Sequence, residues 1–118
     1  IGPGVRIGNN CKIQNNALIY EPAQIGNGVF IGPAVVLTND RYPRAVNRDG
    51  TLKTATDWDA VGVIIRDGAS IGANSVCVAP LEVGSWSVVG ANSVLTRNTE
   101  EGQIYSGNPA KQKGPAYE

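Results

Sequence analysis

The 118-residue sequence has no histidine and no methionine, one phenylalanine and two cysteines. Without histidine, both the usual imidazole base for activating a hydroxyl and the commonest metal ligand are missing. Two cysteines, Cys11 and Cys77, in a chain without secretory features fit buried thiols better than a disulfide framework, and they lack zinc-ligand spacing. No metal site is expected. No apolar run approaches the roughly 18 residues that span a bilayer, and no signal peptide opens the chain. Ten basic and ten acidic side chains cancel, so no global field recruits nucleic acid or an anionic membrane. These absences favour a single cytoplasmic domain. Because the chain opens on Ile1 and inside a repeat, further N-terminal coils are expected to be missing.

What the sequence does have is a six-residue period. From Ile1 it reads IGPGVR IGNNCK IQNNAL IYEPAQ IGNGVF IGPAVV LTNDRY; after a gap it resumes at Ile65 as IRDGAS IGANSV CVAPLE VGSWSV VGANSV LTRNTE. A period of six cannot give an amphipathic helix, whose apolar face recurs at three and four. It suits short strands joined by tight corners. The first position is aliphatic in every hexad but one, where Cys77 stands, and the fifth is mostly small, as in Val5, Cys11, Ala17 and Ser75. The fourth is usually Gly, Asn or Asp, residues that tolerate a left-handed backbone. Pro22, Ala34, Pro80 and Trp86 break that rule and predict a second corner type. The pattern describes a narrow all-β solenoid; if three hexads close a coil, successive coils pair as parallel strands about 4.8 Å apart. The domain then comprises coils 1–42 and 65–100, a loop of about 38–64 and a C-terminal extension 101–118.

The hexads, the long mid-chain loop and the terminal YSGNPAK (Tyr105 to Lys111) resemble the hexapeptide-repeat acyltransferases, which fold as left-handed parallel β-helices. CKIQNNALIYE (Cys11 to Glu21), VFIGPAVVLTNDRYPRA (Val29 to Ala45) and GASIGANSV (Gly68 to Val76) further resemble the nucleotide-linked amino-sugar N-acetyltransferases. The resemblance implies a homotrimer with sites between subunits, acetyl-coenzyme A as co-substrate, and acetyl transfer to a 3-amino or 4-amino deoxysugar. A free amine already carries the attacking lone pair, so the lack of histidine favours an amine acceptor over a hydroxyl. It also excludes the three-histidine zinc site of the γ-class carbonic anhydrases, which share the fold.

Thr38 to Ile64 is 27 residues without the hexad period, and loops beyond about 12–15 residues are usually functional or disordered. A charged loop is more often a solvated surface than a site. The resemblance nonetheless puts Asn39 beside the sugar amine as hydrogen-bond acceptor, with Asp40 the nearest carboxylate to relay a proton. Arg41 or Arg44 then pairs with a diphosphate or sugar carboxylate. Asp40 is expected to hold a solenoid corner from which the chain departs. Gln14 and Asn15, with Tyr20 and Glu21 one hexad later, are further substrate candidates on adjacent faces, and whether Asn39 shares either face is open.

The resemblance assigns the coenzyme to Gly72, Ala73, Gly90 and Ala91, with Asn108, Pro109 and Ala110 forming a rigid exit and Lys111 meeting a phosphate. Glycine at the second hexad position also recurs at Gly2, Gly8 and Gly26, where no ligand is implied. Trp86 has two readings, a stacking platform for adenine or a packed corner. The competing classes are a trimeric β-helix without catalytic activity and an O-acetyltransferase of a small acceptor. An ice-binding β-helix needs stacked threonine ranks, and the hexads hold only Thr38, Thr96 and Thr99.

Overall fold

A computed structural model describes residues 1–116; positions 117 and 118 of the expected extension lie outside the described residues. The first coil carries β1 (Arg6–Ile7), β2 (Lys12–Ile13) and β3 (Leu18–Ile19), and the second β4 (Gln24–Ile25), β5 (Phe30–Ile31) and β6 (Val36–Leu37). After the loop come β7 (Val63–Ile65), β8 (Ser70–Ile71) and β9 (Val76–Cys77), then β10 (Leu81–Val83), β11 (Val88–Val89) and β12 (Val94–Leu95). A hairpin of β13 (Gln103–Gly107) and β14 (Ala110–Pro115) closes the chain. No helix occurs among the described residues, so none is long and apolar enough to cross a membrane.

Three hexads do close one coil. The strands stack into three parallel sheets, ordered β1-β4-β7-β10, β2-β5-β8-β11-β13 and β3-β6-β9-β12; β14 adds antiparallel to the second. From β3 to β12 the last residue of each strand turns inward, so Ile19, Ile25, Ile31, Leu37, Ile65, Ile71, Cys77, Val83, Val89 and Leu95 form the buried axis. The fifth hexad positions fill the remaining interior. There Ser75, Ser87, Ser93 and Thr99 are buried, and each is hydrogen-bonded, for instance Ser75 Oγ to Gly90 O at 2.9 Å and Ser87 Oγ to Gln103 O at 2.9 Å. Among the described residues no buried side-chain hydroxyl is left without a partner.

Each coil has three corners, named here first, second and third after the sheet each follows. Positive φ occurs at Asn10, Asn16, Asn74 and Asn92, as the hexads require, but also at Ala34 (φ 60°) and Trp86 (φ 58°). The expected second corner type therefore holds only at Pro22 and Pro80, which follow cis peptides. At Ala34 and Trp86 the stacked coils impose the conformation against residue preference: Ala34 N donates to Asn15 O (3.1 Å) and Trp86 N to Asp67 O (3.0 Å) in the coil beneath.

The second-position glycines have a packing cause. A Cβ on Gly72 would stand 2.5 Å from Ala91 N, and one on Gly32 2.7 Å from Ala73 N. The next coil lies too close for any side chain there.

The interruption is a folded arm. Asn9 N to Asn27 Oδ1 spans 18 residues, one coil, whereas the equivalent Asn27 N to Asp67 Oδ1 spans 40. The surplus of 22 residues leaves the third corner and returns to it. Asp40 pairs with Ala60 and Val46 with Leu52 in antiparallel bridges. Asp40 is not a left-handed corner, contrary to expectation; like Pro22, Pro80 and Asn98 on the same third corner it lacks positive φ, and it begins the arm through its bridge to Ala60. The molecule extends 52 × 29 × 22 Å.

Candidate functional site

At the third corner the chain brings together Tyr20, Glu21, Asn39 and Asp40. Asn39 Nδ2 donates to Glu21 O at 2.7 Å, reaching back one coil, and Val61 N donates to Asn39 O at 3.0 Å across the arm's base. The amide is thus fixed, and among the described residues no donor reaches its Oδ1. Asp40 Oδ1 accepts from Tyr42 N at 3.1 Å, a local turn of the kind aspartate favours. Tyr20 is exposed and lines a shallow hollow with Glu21, Gly2 and Leu18.

The arm carries two further hollows. One of about 390 Å³ at its base is lined by Asp40, Arg41, Tyr42, Asp57, Trp58 and Asp59, with Lys53 and Val61. The Arg41 guanidinium lies 5.5 Å from the Tyr42 ring centroid, within cation–π range. The second, about 690 Å³ and farther out, is lined by Arg44, Val46, Asn47, Arg48 and Lys53. Arg41 and Arg44 therefore serve different hollows, and Lys53 lines both.

Gly72 and Ala73 stack beneath Gly90 and Ala91 along the second corner, where Asn92 N donates to Ala73 O at 2.8 Å. The column continues into the hairpin: Gly90 N donates to Tyr105 O (2.8 Å) and Gly107 N to Ser93 Oγ (3.1 Å). Asn108 and Pro109 form the tip, with Ala110 packed on the core. The expected rigid exit is thus a hairpin whose first strand extends the solenoid. Pro109, Ala110 and Lys111 line a hollow of about 370 Å³ with Thr96 and Arg97. Sequence reading missed these last two; the signal was a cation two positions beyond the end of β12, visible only once the hairpin folds over it.

Gln14 and Asn15 sit on the second corner, on the coenzyme column, and are not brought to Asn39. Trp86 sits on the first corner, remote from both sets, with its indole over Gly68; a Cβ on Gly68 would lie 2.6 Å from Cδ2 and Cε2 of the ring. The packed-corner reading fits this placement. Burial pushes the Cys77 thiol up to about 12, so it cannot act as a thiolate nucleophile near neutral pH. Cys11 Sγ is 3.1 Å from Gly26 O, a packing position. Among the described residues no acidic, cysteine or histidine group of three or more is arranged to hold a metal ion.

The two sets flank one face. The third sheet, β3-β6-β9-β12, separates the Asn39 corner from the Gly72–Ala91 column.

Residues 1–39 match the family described as bacterial transferase hexapeptide (six repeats), and residues 62–97 match the hexapeptide repeat of succinyl-transferase. The chain belongs to the hexapeptide-repeat family. It is 38% identical over 98 residues to the bifunctional protein GlmU of Saccharophagus degradans, an alignment covering 83% of this chain and 18% of that protein. It is 51% identical over 51 residues to the dTDP-3-amino-3,6-dideoxy-alpha-D-galactopyranose 3-N-acetyltransferase of Aneurinibacillus thermoaerophilus, covering 43% of this chain and 27% of that one. The chain thus spans about a fifth to a quarter of the length of these relatives. A hexapeptide-repeat acetyltransferase of Vibrio cholerae superposes with a TM-score of 0.77 at 25% identity, covering 96% of this chain and 63% of that chain. The solenoid is accordingly the left-handed β-helix of these acetyltransferases.

Proposed function

We propose that the protein is an acetyl-coenzyme A-dependent N-acetyltransferase of a nucleotide-linked amino sugar, a 3-amino or 4-amino deoxysugar, working as a homotrimer. The observation that carries the substrate class is the 51% identity to a dTDP-amino-sugar N-acetyltransferase. In this reading Asn39 Oδ1 accepts a hydrogen bond from the sugar amine and aims its lone pair at the thioester carbonyl. Attack gives a tetrahedral intermediate; its collapse breaks the C–S bond and expels coenzyme A as thiolate, which takes the surplus amine proton directly or through Asp40. No imidazole base is needed, and positioning supplies much of the rate. The stacked glycine and alanine backbone at the second corner would receive the pantetheine arm, with Lys111 and Arg97 on phosphate.

The trimer draws on the outward residues. In register along the third sheet these are Leu18, Val36, Val76 and Val94, all aliphatic, whereas the first sheet shows Arg6, Gln24, Ile64 and Glu82. Packing the third sheets around a three-fold axis would set the Asn39 corner of one protomer against the coenzyme column of the next.

Calorimetry with acetyl-coenzyme A, then a thiol-release assay over amino-sugar nucleotides, tests the proposal. Lys111→Ala is expected to weaken coenzyme binding roughly tenfold, as for loss of a charge-assisted contact, while Asn39→Ala chiefly lowers kcat. A folded protein that binds no acetyl-coenzyme A refutes the activity; preference for a hydroxyl sugar over every amine refutes the acceptor.

A further inference from the structure

The two arm hollows meet at Lys53 and have opposite chemistry. The inner one holds three carboxylates, Asp40, Asp57 and Asp59, together with the aromatic faces of Tyr42 and Trp58. The outer one holds Arg44, Arg48 and Lys53 and no carboxylate. In a chain whose charges cancel overall, this is a local separation of sign along one element. The outer cations are also unspent: among the described residues the salt bridge joins Arg66 to Glu82, so neither Arg44 nor Arg48 has a carboxylate partner.

The outer hollow is preorganised as well. The Val46–Leu52 bridge, Asn47 N to Thr51 O (2.8 Å) and Lys53 N to Ala45 O (3.0 Å) hold its backbone. Asn47 is the hub, its Nδ2 donating to Thr51 Oγ1 (3.2 Å) and Asp57 Oδ2 (3.4 Å) while its Oδ1 accepts from Lys53 Nζ (3.2 Å). The ammonium is thereby held at the junction by neutral acceptors, leaving its charge uncompensated by any carboxylate in bridging distance. Cations fixed before the ligand arrives lose less freedom on binding it.

We infer that the arm binds the acceptor lengthwise, with the amino-sugar ring in the inner hollow against Tyr42 and Trp58 and its diphosphate in the outer hollow on Arg44, Arg48 and Lys53. The inference rests on the amino-sugar reading above and adds the orientation and two residues, Arg48 and Lys53, to the diphosphate contact expected of Arg44. The amine and hydroxyls of the sugar, hydrogen-bond donors, suit the carboxylate end and a dianion suits the guanidinium end, whereas the reverse orientation sets the dianion against three carboxylates.

The test uses inorganic pyrophosphate and a nucleoside diphosphate as probes, titrated calorimetrically into the full chain and into Arg48→Ala and Arg48→Ala/Lys53→Ala. Arg6→Ala, an exposed cation on the first sheet, controls for the lost charge. Each probe is expected to bind the parent chain, about tenfold more weakly to Arg48→Ala and weaker still to the double variant, with Arg6→Ala unchanged. Equal affinity in the parent chain and Arg48→Ala, or no binding at all, overturns the inference. Acetyl-coenzyme A binding is read in the same samples: its loss in the parent chain would defeat the proposed activity, while diphosphate binding that depends on Arg48 would still establish the anion site.

Discussion

Trp86 shows how much a single position owes to its neighbours. A bulky aromatic residue at φ 58° is a conformational outlier, and the side chain remains 60% exposed. Its ring lies over Gly68, itself at φ +73°, so the two residues form one unit. Gly68→Ala is expected to destabilise the protein by about 2–5 kcal/mol, combining a left-handed alanine (about 1–2) with overpacking against the indole (about 1–3). In a Trp86→Asn background only the conformational part remains, because asparagine suits that corner and the ring is gone. Urea unfolding of the four proteins should therefore show a coupling of about 1–3 kcal/mol, the overpacking part alone; additive effects would mean that the contact carries no weight. By contrast, Gly72→Ala is a poor probe of coenzyme binding, since its Cβ would strike Ala91 N at 2.5 Å before any ligand arrived.

Among the elements, the arm differs most from the rest in what holds it. The solenoid strands are fixed by coil-to-coil ladders, whereas the arm supplements its few main-chain bonds with side-chain hydrogen bonds, among them those of Asp57. Its carboxylate accepts from Thr54 N (2.8 Å), Thr54 Oγ1 (3.0 Å) and Asn47 Nδ2 (3.4 Å). The Thr54 backbone bond first, then the Asn47 and Thr54 side chains and the Lys53 charge, hold the carboxyl below its ordinary 3.8. A depressed carboxyl contributes stability above its ordinary value and loses it as pH falls through the lower, folded value. The Thr54 amide resonance should accordingly move as pH drops below 3.8, with solenoid amides such as Gly72 unaffected, and Asp57→Asn should abolish the movement. A Thr54 amide that stays put down to about pH 2 contradicts this account. The hexad period indicated where the arm begins and ends, but not its form. Its bridges, Asp40 to Ala60 and Val46 to Leu52, join residues with no shared period, so nothing local marked the pairing.

Taken as a whole, the molecule is a prism with three unlike faces, and the aliphatic one lies between the two halves of the candidate site. The proposed trimer makes that face an interface. Val76→Glu, on an outward position of β9, should leave the far-ultraviolet spectrum intact and convert a trimer to monomers in sedimentation. It should also abolish transfer, because the Asn39 corner would lose the coenzyme column of its neighbour. A monomeric parent protein, or a Val76→Glu variant that remains trimeric, would place the interface elsewhere.

The six-residue period by itself determined the solenoid and its inward positions, because each corner is set by a few adjacent residues and repeated until stacking is forced. It also marked an interruption between Thr38 and Ile64, although the left-handed corner expected at Asp40 is not formed. Only the tertiary structure decided which residues share a corner. Asn39 and Glu21 meet at 2.7 Å because the corner at Asn39 stacks on the one at Glu21, while Gln14 and Asn15, close to Glu21 in sequence, turn to a different corner. It likewise gave Ala34 and Trp86 their left-handed backbones, and it set Arg97 beside Lys111. Those outcomes depend on coils closing over one another, a long-range constraint that local preference neither encodes nor resists.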